Sequence, residues 1–449
     1  MNYSKRLLQH RKQKKLHTCA NQLIEPINTD INKKKILCWS DYCRSTTGFG
    51  VVSRHILDAL YATGRYEIDQ LAINFNNKFE KVPYGIVPAK LGNPSDAYGQ
   101  QMFIDAIKNS QYDIILIIND TFVVEKTATL LHQVHDLKQQ HNHKQFKIVY
   151  YYPVDCQLLP KYLSILKNAD VTVAYTYFAK EKSQAVGITP DHVIYHGTDT
   201  NTFYPLSIQE RTVFRKKIFK ITDPETFIWG SVNRNSLRKD IPRTLLAFKE
   251  FRKLVPNSIL FLHTQIIDGT GRGRIDLTIP LHELALELGK DVLIPAQYRT
   301  GMGVSEKELN ILFNCCDGFI TTNLGEGWGL NNCNAMAAGV PVVSPNHTVS
   351  PEIFGTDRAY LIPCNDQVFI DLSGFRKFCH IQDIVNTMME CYSDWIEEKP
   401  KRKEMIQKAR HWVKQHTWKH VCKQWIELFD NIDSVPLKFQ HQIISGEEI

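Results

Sequence analysis

The chain of 449 residues lacks the features that would give it a membrane span, a secretory leader or a metal knuckle. A helix crossing a bilayer needs roughly 18 or more consecutive apolar residues, and Ile114–Ile118 is far too short. The opening segment, MNYSKRLLQHRKQKKL, is basic and has no apolar centre of the kind a secretory signal requires. None of the eleven cysteines stands in C-x-x-C spacing, and Cys315 and Cys316 are adjacent. Neither zinc nor a disulfide framework is expected; the thiols read as buried groups of a reducing, cytoplasmic compartment.

Surplus charge is scarce as well. The formal net charge is +7, from 54 basic and 47 acidic residues, a balance that at first sight suggests nucleic acid. Six of the basic residues, however, are Lys5, Arg6, Arg11, Lys12, Lys14 and Lys15, which leaves 48 against 47 for the rest. No nucleic-acid partner is expected. The tail has two readings: peripheral contact with an anionic membrane surface, at on the order of 1 kcal/mol per basic residue, or a solvated arm. The remainder, 43% hydrophobic and 22% charged overall, is ordinary for a folded chain and long enough for two domains.

What is present is concentrated in Asn323–Val343, NLGEGWGLNNCNAMAAGVPVV. The apolar run Gly318–Thr322 before it reads as a buried strand. Gly325, Gly327 and Gly329 free the backbone for a tight turn and for close approach of a ligand. A helix is expected from Leu330, with Leu330, Cys333, Met336 and Ala337 facing the core and Gly339 just past its end. A strand-to-helix turn of this kind points unpaired N–H groups and a helix dipole at one spot, which suits an anion. Glu326 in the same turn adds an acceptor for sugar hydroxyls, strengthened by its charge.

Alternating strands and helices run through the rest of the chain. Strands are expected at Lys35–Trp39, Ile68–Phe75, Asp113–Ile118, Lys147–Tyr152, Val171–Ala174 and Val193–Tyr195. Helices are expected at Val51–Leu60, Tyr98–Lys108, Val123–Lys138, Leu158–Lys167 and Ala179–Ala185. Repeats of this size indicate a parallel sheet covered on both faces, with ligands at the carboxyl ends of its strands. Asn119-Asp120 and Asp155 occupy such ends; Asp155 either acts at the site or caps a helix from Leu158. Phe227–Val232 opens a second sheet, and Arg234, Arg238 and Lys239 follow it before a helix with Leu245, Leu246 and Phe248 inside. At about 4 Å and an effective dielectric near 20, one such charge contributes roughly 4 kcal/mol with a phosphate before desolvation.

The stretch from Glu326 resembles the donor motif of retaining GT-B glycosyltransferases, family 4-like (glycosyl transferases group 1), with its E-G-[FWY]-G-L and A-M-A-x-G-x-P-V-V. Asn334 stands where that family usually has a second Glu binding ribose. An Asn offers one acceptor and two donors in its place. Thr46–Gly50 resembles the family's N-terminal glycine loop, Val193–Asp199 its I-x-N-G-V-D turn, and HTWKHVCKQW its closing helix.

The resemblance implies an α/β GT-B fold, two Rossmann-like domains facing a cleft. The divisions are a tail and lead-in at 1–34, an acceptor-side domain at 35–205, and a nucleotide-sugar domain at 206–416, with helix 417–431 packing back on the first. It implies transfer of a sugar from a nucleotide diphosphate to a glycan, lipid or protein hydroxyl with retention. Glu326 and Asp155 would act in catalysis, and Arg234, Lys239, Gly48, Gly50, Gly327, Gly329, Leu330 and Asn334 in donor binding. The backbone at Ala296–Arg299 would contact the base. No cofactor and no metal are implied, in keeping with the absence of a D-x-D pair. An epimerase of the same fold and a binding protein without turnover, suggested by Asn334, remain as alternatives. A nicotinamide dehydrogenase does not: Gly269–Gly273 has no helix directly after it and no acidic residue where the dinucleotide fingerprint needs one.

Overall fold

The computed structural model describes residues 33–437 apart from 76–80, 92–94, 110, 141–145, 160–161, 269–274, 295–302 and 371–373. The basic tail, the glycine cluster at 269–273 and the expected base contact at 296–299 therefore lie outside the described residues.

Two wholly parallel sheets organise the chain. The first has β1 (Lys34–Asp41), β2 (Tyr66–Ile73), β3 (Gly85–Pro88), β4 (Ile114–Ile118), β5 (Lys147–Tyr152), β6 (Val171–Ala174) and β7 (His192–Val193), in the order β3-β2-β1-β4-β5-β6-β7. A period of two sends alternate residues to opposite faces. Ile115, Ile117, Tyr150 and Tyr152 thus join one core and Ile114, Leu116, Ile118 and Tyr151 the other. Both faces are apolar, which is what a sheet covered by helices on both sides requires.

The second sheet contains β8 (Phe227–Val232) and β9 (Ser258–His263) and, beyond a short pair β10 (Ile267–Asp268) and β11 (Ile275–Asp276), also β12 (Val292–Leu293), β13 (Gly318–Ile320), β14 (Val342–Pro345) and β15 (Tyr360–Ile362). Its order is β12-β9-β8-β13-β14-β15. Phe227 and Trp229 enter one core, Ile228 and Val232 the other. In each sheet the strand order reverses direction once, between β1 and β4 and between β8 and β13. A crevice opens beyond the carboxyl ends of the strands at such a point.

The closing helix Trp418–Asp430 returns to the first sheet. Trp418, Val421, Trp425 and Phe429 are buried in the core that also holds Ile56, Leu57 and Tyr151, and the Trp418 ring stacks on His55 with centroids 4.3 Å apart. Further contacts link the halves. Glu352 accepts from the backbone N–H groups of Tyr177 and Phe178 at 2.8 Å each, supplying a carboxylate to the positive end of the helix Tyr177–Gln184. Arg54 pairs with Glu306 at 2.6 Å.

Several expectations need correction. In the expected helix Leu158–Lys167, Leu158 and Leu159 are not helical and the α-helix begins only at Ser164, running to Asn168, so no helix starts at Leu158 to be capped by Asp155. Leu246 is 41% exposed while Leu245 and Phe248 are buried, because adjacent positions on a helix point 100° apart. β3 and the antiparallel hairpin of β16 (Asp366–Ile370) and β17 (Gly374–Phe378) are additions. Cys364 and Cys379 form a disulfide across the base of that hairpin, whereas buried free thiols were expected there.

Candidate functional site

The loops after β8 and β13 leave the crevice of the second sheet side by side and are stitched together. Leu324 N donates to the carbonyl of Arg238 at 2.8 Å, and Thr322 Oγ1 donates to that of Asp240 at 2.9 Å. Asp240 takes a left-handed backbone, φ 45°, directly before the helix Ile241–Leu254. This bend turns Arg238 and Lys239 toward the Gly325–Gly329 turn rather than along the helix.

Glu326 is the hub. Its Oε1 accepts from Lys239 Nζ and, at 2.7 Å, from Asn323 Nδ2, while Arg238 Nη1 lies 3.4 Å from Oε2. Its backbone N–H donates to Thr348 Oγ1 at 3.2 Å. Burial pushes the carboxyl up, but Lys239 and Arg238 outweigh it and hold Glu326 below its ordinary value.

The first domain closes on this hub. Arg238 Nε is 3.2 Å from Asp155 Oδ2, and Arg376 of β17 bonds Asp155 Oδ1 at 2.9 Å. The same two arginines keep the Asp155 carboxyl below its ordinary value against the upward push of burial. The alternative reading of Asp155 as the cap of a helix from Leu158 fails at Leu158 and Leu159, which are not helical. A Cβ on Gly325 would lie 2.0 Å from the Asp155 carbonyl, and one on Gly327 would lie 2.9 Å from Pro153 Cβ. These two glycines serve the contact between the halves as directly as they could serve a ligand.

The remaining predicted positions divide. Gly48 faces Leu330 across the cleft, its would-be Cβ 3.7 Å from Leu330 Cδ1, so the two glycine turns oppose each other. Leu330 begins the helix Leu330–Ala337 after Gly329, φ 90°, and is half-buried rather than in the core. Asn334 is one turn further along and half-buried, on the same face as Leu330 by its four-residue spacing. Gly50 is packed against its own loop, with a Cβ there 2.2 Å from Ser45 Oγ. Arg234 does not reach Glu326. Its side chain is 66% exposed, with Nε 2.8 Å from Asp268 Oδ2, and it overhangs the cleft within electrostatic reach of Asp41. Arg238, from the same loop after β8, is the arginine at the hub.

Asn323, Thr348 and Arg376 were not singled out by the sequence. Asn323 was foreseeable from its place three residues before Glu326; Arg376 carried no signal. Asp120 enters as well: burial and neighbouring Asp155 push its carboxyl up to about 7. Among the described residues no side chain hydrogen-bonds that carboxylate. The site therefore gathers three cations, Arg238, Lys239 and Arg376, around two ionised carboxylates, with a third able to exchange a proton near neutral pH. Such a cleft can accept further negative charge and sugar hydroxyls together. Among the described residues no group of three His, Cys, Asp or Glu is arranged to hold a metal ion, and no helix is long and apolar enough to cross a membrane.

Residues 211–412, which contain the whole second sheet, match the family model described as glycosyl transferases group 1. No curated protein matches the chain as a relative. Solved structures of similar fold include sucrose-phosphate synthase from Thermosynechococcus elongatus, 16% identical with TM-score 0.65 over 90% of this chain and 100% of that one. Anabaena HepE in complex with UDP-glucose is 17% identical with TM-score 0.64, over 88% and 99% of the two chains. A glycosyltransferase from Rickettsia africae is 14% identical with TM-score 0.64, over 90% and 100%. The fold is GT-B: two Rossmann-like halves facing a cleft.

Proposed function

We propose that the protein is a glycosyltransferase of the group 1 type that moves a sugar from a nucleoside-diphosphate donor to an acceptor hydroxyl with retention of configuration. The observation that carries this reading is the convergence of Arg238, Lys239 and Glu326 with Asp155 where the two crevices meet. The family match and the UDP-glucose bound to Anabaena HepE support it.

The departing diphosphate gains negative charge in the transition state, and cations preorganised at that point stabilise it without reorganising. Arg238 and Lys239, with the N–H groups and dipole at Leu330, hold the diphosphate; Arg234, 66% exposed and released from its ion pair with Asp268, joins them. As phosphate draws Lys239 off, Glu326 becomes available to orient the sugar through its hydroxyls, and Asn334 reaches the ribose. Gly48 and Gly327 line the sides. The acceptor hydroxyl attacks the face the diphosphate leaves, and the phosphate takes its proton with Asp155 assisting. The cations do the work of a metal, and no cofactor is needed. The acceptor is a glycan, lipid or protein on the first-domain side, which ends near Pro205, and the basic tail allows contact with a membrane surface from the cytoplasm.

Asn334 favours a second reading, a protein that binds nucleotide without turnover. Hydrolysis and transfer across UDP-, GDP- and ADP-sugars, with wild type, Glu326→Ala, Arg234→Ala and Asn334→Glu, separates the two. Turnover of one donor that Glu326→Ala abolishes supports the transferase. A nucleotide that raises the melting temperature without turnover, with activity only in Asn334→Glu, supports the binding protein.

A further inference from the structure

Arg376 lies on the hairpin strand β17, which belongs to neither parallel sheet. Its side chain is only 5% exposed, while Phe369 and Phe375 of the same hairpin are 64% and 65% exposed. A hairpin that buries a guanidinium and leaves two phenyl rings in water is not organised by hydrophobic burial. The guanidinium crosses to the first domain and forks around one residue: Nη1 donates to the Asp155 carbonyl at 3.0 Å and Nη2 to Asp155 Oδ1 at 2.9 Å. Arg238 Nε takes the other carboxylate oxygen. One fork thus fixes the main chain and the side chain of Asp155 together, in a loop that no described helix start anchors. The glycine turn is shaped around it, since a Cβ on Gly325 would lie 2.5 Å from Arg376 Nη1.

We propose that Arg376 is a positioning residue for the transfer reaction, acting through Asp155 by fixing its main chain and its carboxylate in place at the cleft. The proposal rests on the transferase reading above. The groups facing Asp155 are Asp120 and Cys156 of the first domain and Arg238, Lys239, Glu326 and Arg376 of the second. Removing one of the two nearest cations raises the Asp155 carboxyl, so the acid limb of the rate profile moves to higher pH. A merely structural arginine would lower the rate equally at every pH.

The experiment compares Arg376→Met, Arg376→Lys, Asp155→Asn and the double variant Arg376→Met/Asp155→Asn in full-length protein, using whichever nucleotide sugar the donor panel identifies. Arg376→Met is expected to lower kcat about tenfold with donor KM changed less than about threefold. Its acid limb should shift up by about one pH unit. Arg376→Lys keeps the charge but cannot fork, so it should keep the acid limb near wild type while losing part of kcat. The double variant should be no slower than Asp155→Asn alone. A pH-independent loss in Arg376→Met, or losses that multiply in the double variant, overturns the proposal; if Arg376→Met does not fold, the kcat loss of Arg376→Lys decides, since a loss that persists undiminished in the Asp155→Asn background overturns the proposal. If wild type turns over no donor, the transferase reading fails and this role with it. Melting temperatures of the same four proteins then still report whether Arg376 and Asp155 are coupled.

Discussion

Strand ends of the first sheet deliver carboxylates to the cleft, Asp41 from β1, Asp120 after β4 and Asp155 after β5, whereas the loop after β8 of the second delivers Arg234, Arg238 and Lys239. Equivalent positions in two similar sheets thus carry opposite charge. The acids meet different fates. Asp41 is satisfied at home by Thr47 and Asn74, at 2.6 and 3.1 Å, Asp155 is neutralised across the cleft, and Asp120 has neither arrangement. Desolvation pushes all three carboxyls up, and only Asp155, with two arginines beside it, is held below its ordinary value. Pairs of acids pushed apart in this way can divide the tasks of holding charge and moving a proton.

The contrast can be broken first at its hub. Glu326→Ala leaves Lys239 and Arg238 without their shared partner and the sugar without an acceptor. Turnover should fall at least about a hundredfold, roughly 3 kcal/mol of barrier, measured as kcat/KM on the best donor. The two arginines sharpen it next. Arg238→Ala should cost more in kcat/KM than Arg234→Ala, because only Arg238 touches both Glu326 and Asp155; the reverse order would make Arg234 the principal phosphate ligand.

Asp120 gives a pH test without any substrate. Its folded carboxyl lies above the unfolded value, so the native state holds the extra proton, and this group's contribution to stability falls as pH rises from the usual carboxylate range to about 7. Asp120→Asn removes that penalty. Its melting temperature relative to wild type should be more favourable at pH 8 than at pH 5, and no difference would show that Asp120 titrates normally. The smallest effect is expected from metal removal: if arginine and lysine take the place of a metal ion as proposed, a chelator should leave the initial rate of transfer within about twofold.

Much of the architecture was legible in the chain. Lys147–Tyr152, Val171–Ala174 and Phe227–Val232 are strands with the expected bounds, because buried parallel strands are short continuous apolar runs. The start of the helix at Leu330 and the positive φ of 76° at Gly339 past its end follow the glycine pattern. β3, Gly85–Pro88, was not legible because its four residues carry a glycine, a proline and no alternation. The helix at Leu158–Lys167 was read too long because apolar spacing near a cleft loop imitates helical periodicity.

For the site, the chain itself determined which residues stand at strand ends, and hence that Glu326, Lys239, Arg238 and Asp155 lie on the rims of two crevices. Local spacing carries that information. Which arginine meets Glu326 was decided by the left-handed turn at Asp240 and the stitching of two loops 82 residues apart. That Asp155 is clamped by Arg376, 221 residues away, was decided by the docking of one half on the other. Ion pairs across a cleft have no sequence period, since their geometry is set by packing between elements that the chain brings together only when folded.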